Sequence, residues 1–324
     1  MTGTSALDPF LWRRRWRTAP GRQHQLRQPV VSVGNLAAGG RGKTPVVEHL
    51  ARLLVEAGER PAILSRGYGR SVAPPGAVVV SDGHGLRVGP DLSGDEPGML
   101  AQALPGAIVV VCEDRRIAGT LAEGRLGATV HVLDDGFQHL ELARDVDLVL
   151  VTPEDLSGRA FPLGRLRETP RALAAADAVL VDGDLGDRAW PFAGVERFGM
   201  RRSLGAPAVE GRPLSPEVGP VVALAGIARP ERLARDLTAL GWTVAESVTF
   251  ADHHRYTVRD LTNVASVVRR TGAAAVVTTA KDAVRLRGAA ALPVPLAVAV
   301  LRASVEPSAA FRSWLSRRIA DARS

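Results

Sequence analysis

Residues 30–45 read Val30-Val31-Ser32-Val33-Gly34-Asn35-Leu36-Ala37-Ala38-Gly39-Gly40-Arg41-Gly42-Lys43-Thr44-Pro45. The apolar start predicts a buried β-strand, a glycine-rich turn follows, and Val46–Leu54 continues with the pattern of a helix. Backbone N–H groups and the positive end of a helix face the same point in such a strand–loop–helix unit, which makes it a cradle for phosphate groups. The segment therefore predicts nucleotide-dependent chemistry.

The end of this segment resembles the phosphate-loop pattern G-x-x-x-x-G-K-[ST]. In that pattern Lys43 reaches the β- and γ-phosphates and the Thr44 hydroxyl binds Mg²⁺. Ala37 stands where the pattern has its first glycine, and Pro45 is compatible with a first helical turn, whose N–H groups lack partners. The predicted nucleotide-binding residues are Gly39, Gly40, Arg41, Gly42, Lys43, Thr44 and Pro45. The alternative is a strand–helix turn that binds nothing.

Composition indicates a globular α/β protein of two domains. The chain has 324 residues, 46% of them hydrophobic, and a formal net charge of +7, which favours a nucleotide, a nucleic acid or an anionic membrane surface as partner. Cys112 is the only cysteine, so an intrachain disulfide and a cysteine metal cluster are excluded. No secretory signal or transmembrane stretch is visible in the sequence.

Short apolar runs alternate with helical patterns along the chain. This alternation predicts an α/β fold with a P-loop NTPase-like, mainly parallel, doubly wound sheet and a second, smaller α/β lobe. We expect a nucleotide- and substrate-binding domain over residues 1–190, a linker over 191–218 and a smaller domain over 219–324. Strands are predicted at Val30–Val33, Pro61–Leu64, Ala77–Val80, Ile108–Val111, Thr129–Leu133, Val146–Val151, Ala178–Val181, Val221–Leu224, Thr243–Val248, Ala274–Thr278 and Leu296–Val300.

The N-terminal segment Pro9–Arg17 mixes aromatic and aliphatic residues with four arginines. A helix of this composition can lie in a membrane interface, with its rings among the lipid headgroups and its guanidinium groups on anionic lipid. A surface helix that packs Phe10, Leu11 and Trp12 on the core explains the segment equally well.

Two segments carry candidate acidic groups. Asp134 and Asp135 follow a predicted strand, where carboxylates can hold Mg²⁺ opposite the phosphate-loop threonine. Asp95 begins a predicted helix and is either its N-cap or a general base. Farther along, His253 and His254 lie in Asp-His-His-Arg-Tyr, and imidazole groups suit proton handling or pairing with a carboxylate.

Taken together, these segments resemble the tetraacyldisaccharide 4'-kinase family, the lipid A 4'-kinases. The matching stretches run in the family's order and span most of the chain: Val33–Pro45, Ser65–Arg70, Gly94–Pro97, Asp134–His139, Phe161–Glu168, Ala223–Ile227, Phe250–Thr257 and Val277–Val284. One departure is Ala280, where the family pattern has Glu.

The resemblance implies transfer of phosphate from ATP to the 4'-hydroxyl of a tetraacylated glucosamine disaccharide 1-phosphate, giving lipid IVA, with Mg²⁺ as cofactor. The implied catalytic residues are Asp95, His253, Lys43 and Asp135, with Asp95 as base paired to a histidine, and the implied metal ligands are Thr44, Asp134 and Asp135. It further implies a peripheral enzyme on the cytoplasmic face of the bacterial inner membrane, held by its basic, aromatic N-terminus. We expect a monomer without a nucleic-acid partner.

Two other classes deserve comparison. A P-loop GTPase would carry Asn-Lys-x-Asp to specify guanine, and Thr279-Ala280-Lys281-Asp282 matches this pattern only in part. A nucleic-acid-dependent ATPase is favoured only by the positive charge, and an aromatic content of 4% gives few stacking platforms for bases. Nucleotide preference, and stimulation by dispersed lipid or by nucleic acid, separate these classes from a lipid kinase.

Overall fold

The computed structural model describes residues 23–38, 42–185, 190–286 and 292–324. The segment Pro9–Arg17 and residues Gly39, Gly40 and Arg41 lie outside these ranges. The strands are β1 (Val30–Asn35), β2 (Pro61–Ser65), β3 (Val78–Asp82), β4 (Ile108–Val111), β5 (Val130–Asp134), β6 (Val146–Val151), β7 (Ala178–Asp182), β8 (Glu196–Leu204), β9 (Ala208–Val209), β10 (Arg212–Pro213), β11 (Val221–Ala225), β12 (Val244–Thr249), β13 (Ala275–Thr279), β14 (Leu296–Ala299) and β15 (Leu301–Glu306).

The described helices follow most of these strands. They are α1 (Lys43–Glu56), α2 (Pro90–Ser93), α3 (Asp95–Ala103), α4 (Arg115–Arg125), α5 (Pro153–Leu156), α6 (Glu231–Ala239), α7 (Val258–Thr271), α8 (Ala280–Arg285) and α9 (Ser308–Asp321). None of the helices in the described ranges is both long and apolar enough to cross a membrane.

Nine strands form the larger sheet, in the order β15-β8-β7-β6-β1-β5-β2-β4-β3. Its seven central strands are parallel, and the edge strands β3 and β15 are antiparallel to their neighbours. All residues of β1, β4 and β6 are buried, as expected for strands covered by helices on both faces. The α/β fold with a mainly parallel sheet is thereby confirmed.

The carboxyl ends of the parallel strands meet at one edge of this sheet, which we call the catalytic edge. Strand β1 lies between β5 and β6, and Val33 pairs with Asp134. Side chains that follow β1 and β5 are therefore neighbours, and ligands of open α/β sheets bind at this kind of edge.

A second, six-stranded sheet has the order β10-β9-β14-β13-β11-β12 and forms the smaller lobe. The chain enters this lobe after β8 and leaves it between β14 and β15, where the Gly205 N–H donates to the Val300 carbonyl at 2.8 Å. The two connections therefore lie side by side.

The division predicted from the sequence differs from the observed arrangement at two places. Strand β8, predicted as part of a linker, and strand β15, predicted within the smaller domain, pair along their length in the larger sheet. Helix α9 also returns, and Phe311 packs in the same core as Val31 and Leu50. The alternating burial of β15 explains the difference, because a half-buried strand lacks the continuous apolar run of the central strands.

The placement of α9 generates a stability prediction. Phe311 is 1% exposed and contacts Phe198 of β8 edge to face, with ring centroids 5.1 Å apart. Phe311→Ala should lower the free energy of unfolding by about 3–5 kcal/mol, because it leaves a cavity in the main core. Urea denaturation measures the change, and Ser313→Ala on the exposed face of α9 is the control. Equal effects of the two substitutions would contradict the packing of α9 in this core.

Candidate active site

The phosphate loop lies at the end of β1, as its sequence predicts. Gly42 has φ +79° and immediately precedes α1, which begins at Lys43 and includes Thr44 and Pro45 in its first turn. The Lys43 ammonium is 3.0 Å from the Asn35 side-chain oxygen and 3.2 Å from an oxygen of Asp135. The loop lysine is thus held above the catalytic edge by the two strands that flank it.

The paired aspartates at the end of β5 have different environments. Asp135 accepts from Lys43 and, at 2.9 Å, from Arg167. Burial alone would raise the pKa of Asp135, but these two cations outweigh it and hold the pKa below its ordinary value. Burial raises the pKa of Asp134 to about 6, and the charge of Lys43 opposes that rise only in part. Asp134 is therefore the aspartate with the greater need of a cation.

A loop that follows α5 lies against residues 36–38, directly after β1. Arg167 lies in it and donates its backbone N–H to the Leu36 carbonyl at 2.6 Å. The Gln138 amide donates to the Asn35 carbonyl at 3.0 Å and to Glu168 at 2.9 Å. Arg167, Gln138 and Glu168 lie in stretches that resemble the family, but the sequence alone gives them no role. Each role depends on a contact between segments that are distant in the chain.

Two buried groups near Asp134 have nitrogen atoms without a protein partner. Arg115 is 1% exposed, and its Nε and one Nη atom are unpaired, as is Nε2 of His139. Burial, followed by the charge of Arg66, lowers the pKa of Arg115 to about 10, and burial with Arg115 and Arg66 lowers the pKa of His139 to about 4. Buried donors without acceptors require an explanation. Anionic oxygens of a bound phosphate would supply acceptors for Arg115, so this arginine fits a phosphate-binding site.

Two residues of the smaller lobe form hydrogen bonds with Asp95 of the larger lobe. His253 Nδ1 lies 2.9 Å from Asp95 Oδ2, and the Arg285 guanidinium lies 2.5 Å from the same oxygen. Burial raises the pKa of Asp95, but the hydrogen bond and charge of Arg285, followed by those of His253, leave it below its ordinary value. Asp95 does not act as an N-cap, since Gly94 holds that position and no side chain caps α3.

The two adjacent histidines point in different directions. His253 has a left-handed backbone with φ +62°, which is uncommon for a residue with a side chain. Its Nε2 atom lies 3.2 Å from the ammonium of Lys281, which also pairs with Glu96 at 3.0 Å. His254 instead lies 3.0 Å from Asp260, on the far side of the turn. The structure therefore brings His253, and not His254, to Asp95.

The loop after β2 also contacts this pair. Gly69 has φ +83°, and a Cβ atom at this position would lie 3.2 Å from His253 Nδ1 and 3.4 Å from Asp95 Oδ2. Tyr68 places its ring edge to face against His253, with centroids 5.4 Å apart. The glycine lets the backbone lie directly against the two side chains.

A polar cleft of about 340 Å³ is lined by residues of both lobes. Asp182 and Arg202 of the larger lobe and Arg232 of the smaller lobe are among the residues that line it. Arg202 reaches the phosphate loop, because a Cβ atom on Gly42 would lie 3.1 Å from its side chain. Charged groups of both lobes therefore line this cleft, and Arg202 joins it to the start of α1.

The described residues contain no group of three or more His, Cys, Asp and Glu side chains arranged to hold a metal ion. Mg²⁺ at nucleotide sites usually takes only one or two protein ligands, with phosphate oxygens and water completing its shell. A single hydroxyl at Thr44 and a carboxylate at Asp134 fit that mode of binding.

An enzyme with this sheet, this phosphate loop and these acidic groups belongs to the P-loop class of nucleotide-dependent phosphotransferases. A family model described as "LpxK: Tetraacyldisaccharide-1-P 4'-kinase" matches residues 6–320. The chain belongs to this tetraacyldisaccharide 4'-kinase family, and the resemblance seen in its sequence is confirmed.

Individual relatives agree with the family model. The tetraacyldisaccharide 4'-kinase of Desulfotalea psychrophila is 39% identical over 281 residues, which cover 82% of this chain and 80% of that protein. The enzyme of Anaeromyxobacter dehalogenans is 42% identical over 303 residues, which cover 86% of this chain and 78% of that protein. The crystal structure of LpxK from Aquifex aeolicus in complex with ATP has a TM-score of 0.80 at 31% identity, and covers 96% of this chain and 95% of that one.

The close approach of Gly69 generates a second prediction. Gly69→Ala should lower kcat about tenfold or more, because its methyl group would displace the two side chains it touches. Gly76→Ala is the matched control: it has φ +87° but nothing within 4 Å of its Cβ position, so it carries the same backbone strain without the contact. Steady-state kinase assays and thermal unfolding of both variants measure the effect, and equal kcat values would contradict it.

Proposed function

We propose that the protein is an ATP-dependent kinase that phosphorylates the 4'-hydroxyl of tetraacyldisaccharide 1-phosphate, forming lipid IVA in lipid A biosynthesis. The observation that carries the proposal is the joint placement of Lys43 and the Asp95–His253 pair at one edge of a parallel sheet. Family membership gives the substrate class, and a phosphate-loop lysine and a carboxylate–imidazole pair at the same edge of the sheet support the proposed reaction.

The phosphate groups of ATP would be bound by the phosphate loop, including Gly39, Gly40, Arg41 and Gly42, with Lys43 at the γ-phosphate. Thr44 and Asp134 would hold Mg²⁺. The bound ion would neutralise the charge that develops on the phosphate oxygens. Asp135 positions Lys43 through their 3.2 Å ion pair, and Arg167 holds Asp135 in turn.

The Asp95–His253 pair would receive the proton of the sugar hydroxyl. Asp95 already accepts from Arg285 and has a lowered pKa, so it is a weak base by itself. An imidazole is the better proton acceptor near neutral pH, and the carboxylate fixes its orientation and stabilises the imidazolium that forms. The two groups therefore take up the proton as a unit, and Asp95 orients the ring through Nδ1.

The substrate carries four acyl chains, so the reaction takes place at a membrane surface. The proposal therefore includes peripheral association with the cytoplasmic face of the bacterial inner membrane, and the composition of Pro9–Arg17 supports it. A monomeric state and the lack of a nucleic-acid partner stay predictions from the sequence.

Transfer of labelled γ-phosphate from ATP to tetraacyldisaccharide 1-phosphate in mixed micelles tests the function directly. Label should appear on the lipid with the intact enzyme and be lost with Lys43→Ala. ATP hydrolysis without lipid labelling would show that the phosphate loop serves another acceptor.

The proton-accepting pair has a separate test. Asp95→Ala and His253→Ala should each lower kcat about 10²-fold or more and leave ATP affinity unchanged, and the double variant should be little worse than either, since the two groups act as a unit. His254→Ala is the matched control, because His254 bonds Asp260 instead. A normal kcat for Asp95→Ala or His253→Ala would refute the role of the pair.

A further inference from the structure

Two large apolar side chains project into solvent from the loop after α5, which lies against the residues that follow β1. Phe161 is 82% exposed and Leu163 is 78% exposed, the highest values among the described large hydrophobic residues. With the exposed Pro162 between them they form an apolar tip, which we call the 161–163 tip. The kinase mechanism above makes no use of these side chains.

Backbone hydrogen bonds hold the tip in place. The Phe161 N–H donates to the Leu166 carbonyl at 2.8 Å, and the Leu163 N–H donates to the Ala160 carbonyl at 3.0 Å. The base of the loop is joined to the end of β1, where the Ala38 N–H donates to the Arg165 carbonyl at 3.0 Å. The exposure of Phe161 and Leu163 is therefore built into a hydrogen-bonded loop.

The tip lies at the catalytic edge of the larger sheet. The other described large hydrophobic residues of the larger lobe that are exposed also concentrate there: Tyr68 and Val72 follow β2, and Ile117 lies in the first turn of α4 after β4. Leu86 is the exception and lies at the opposite edge, beyond the end of β3. Apolar exposure is thus concentrated on the side where the site opens.

Positive charge surrounds the tip. Arg159 and Arg165 flank it and are exposed, and Arg171 is exposed a short distance along the chain. Apolar side chains flanked by exposed arginines match the layers of a membrane surface, because the apolar groups enter the acyl boundary while the guanidinium groups contact anionic headgroups.

We propose that the 161–163 tip inserts into the interfacial layer of an anionic phospholipid bilayer. This contact holds the catalytic edge against the membrane, and Arg159 and Arg165 bind the lipid headgroups. The inference rests on the proposed function, because a lipid acceptor is the reason why the catalytic edge must face a membrane. It adds a membrane contact to the one predicted for Pro9–Arg17, and backbone hydrogen bonds of Arg165 and Arg167 join this contact to the residues after β1.

A fluorescent probe at the tip tests the proposal. Cys112 is the only cysteine and is buried, so a cysteine introduced at Leu163 can be labelled selectively with an environment-sensitive nitrobenzoxadiazole dye. With vesicles of phosphatidylethanolamine and phosphatidylglycerol, dye at Leu163→Cys should shift to the blue and gain intensity. Dye at Leu240→Cys, an exposed apolar site in the smaller lobe, is the control and should not change. An unchanged spectrum at Leu163→Cys would overturn the proposal.

A binding experiment measures how much the tip contributes. The full-length variant with both Phe161→Ser and Leu163→Ser should bind these vesicles more weakly in sedimentation, by about tenfold or more. The reason is that it no longer transfers two apolar side chains from water into the bilayer. Leu240→Ser should bind as the wild type does, and equal binding of the double variant would overturn the proposal. Vesicle binding needs no phosphoryl transfer, so failure of the kinase function appears separately, as unlabelled lipid with the wild-type enzyme.

Discussion

The buried charge of the Asp95 carboxylate lies at the contact between the two lobes. The carboxylate is largely buried, and the smaller lobe supplies both His253 and Arg285 to compensate its charge. A buried carboxylate that loses such partners is costly, so the charge of Asp95 favours the arrangement in which the lobes are together. His253 has a left-handed backbone, which is a strained conformation for this residue. Such strain is common where the fold directs a side chain toward a functional partner, here Asp95.

The opposite side of the site is electrostatically incomplete. Arg144 shows what a satisfied buried arginine looks like here, since it donates to both oxygens of Asp147 and to the His139 carbonyl. Arg115 is equally buried but has only a 3.3 Å contact with the Glu113 carbonyl. Selection for stability alone would favour a fully paired arginine such as Arg144. The unpaired donors of Arg115 are instead explained by a role in binding an anion.

The sequence was sufficient where the signal was local. The strand before Lys43 and the acidic end of β5 could be predicted, because continuous apolar runs mark buried parallel strands and the loop motif lies within a few residues. Arg285 could not be predicted, since its importance comes from a contact with Asp95 that is 190 residues away in the chain. Strand β15 was missed for a related reason: its alternating pattern becomes a strand only beside β8, about a hundred residues earlier.

The side-by-side connections at Gly205 and Val300 also set the order in which the protein can be completed. The larger lobe is built from two separated parts of the chain, and the smaller lobe is inserted between them. During synthesis on the ribosome, β8 and the core-facing side of α1 emerge long before β15 and α9, which cover them in the folded protein. The smaller lobe can fold first, while the nascent larger lobe keeps an open edge and an uncovered core surface until β15 and α9 have emerged. Emergence of β15 and α9 is therefore the event that completes the nucleotide-binding lobe.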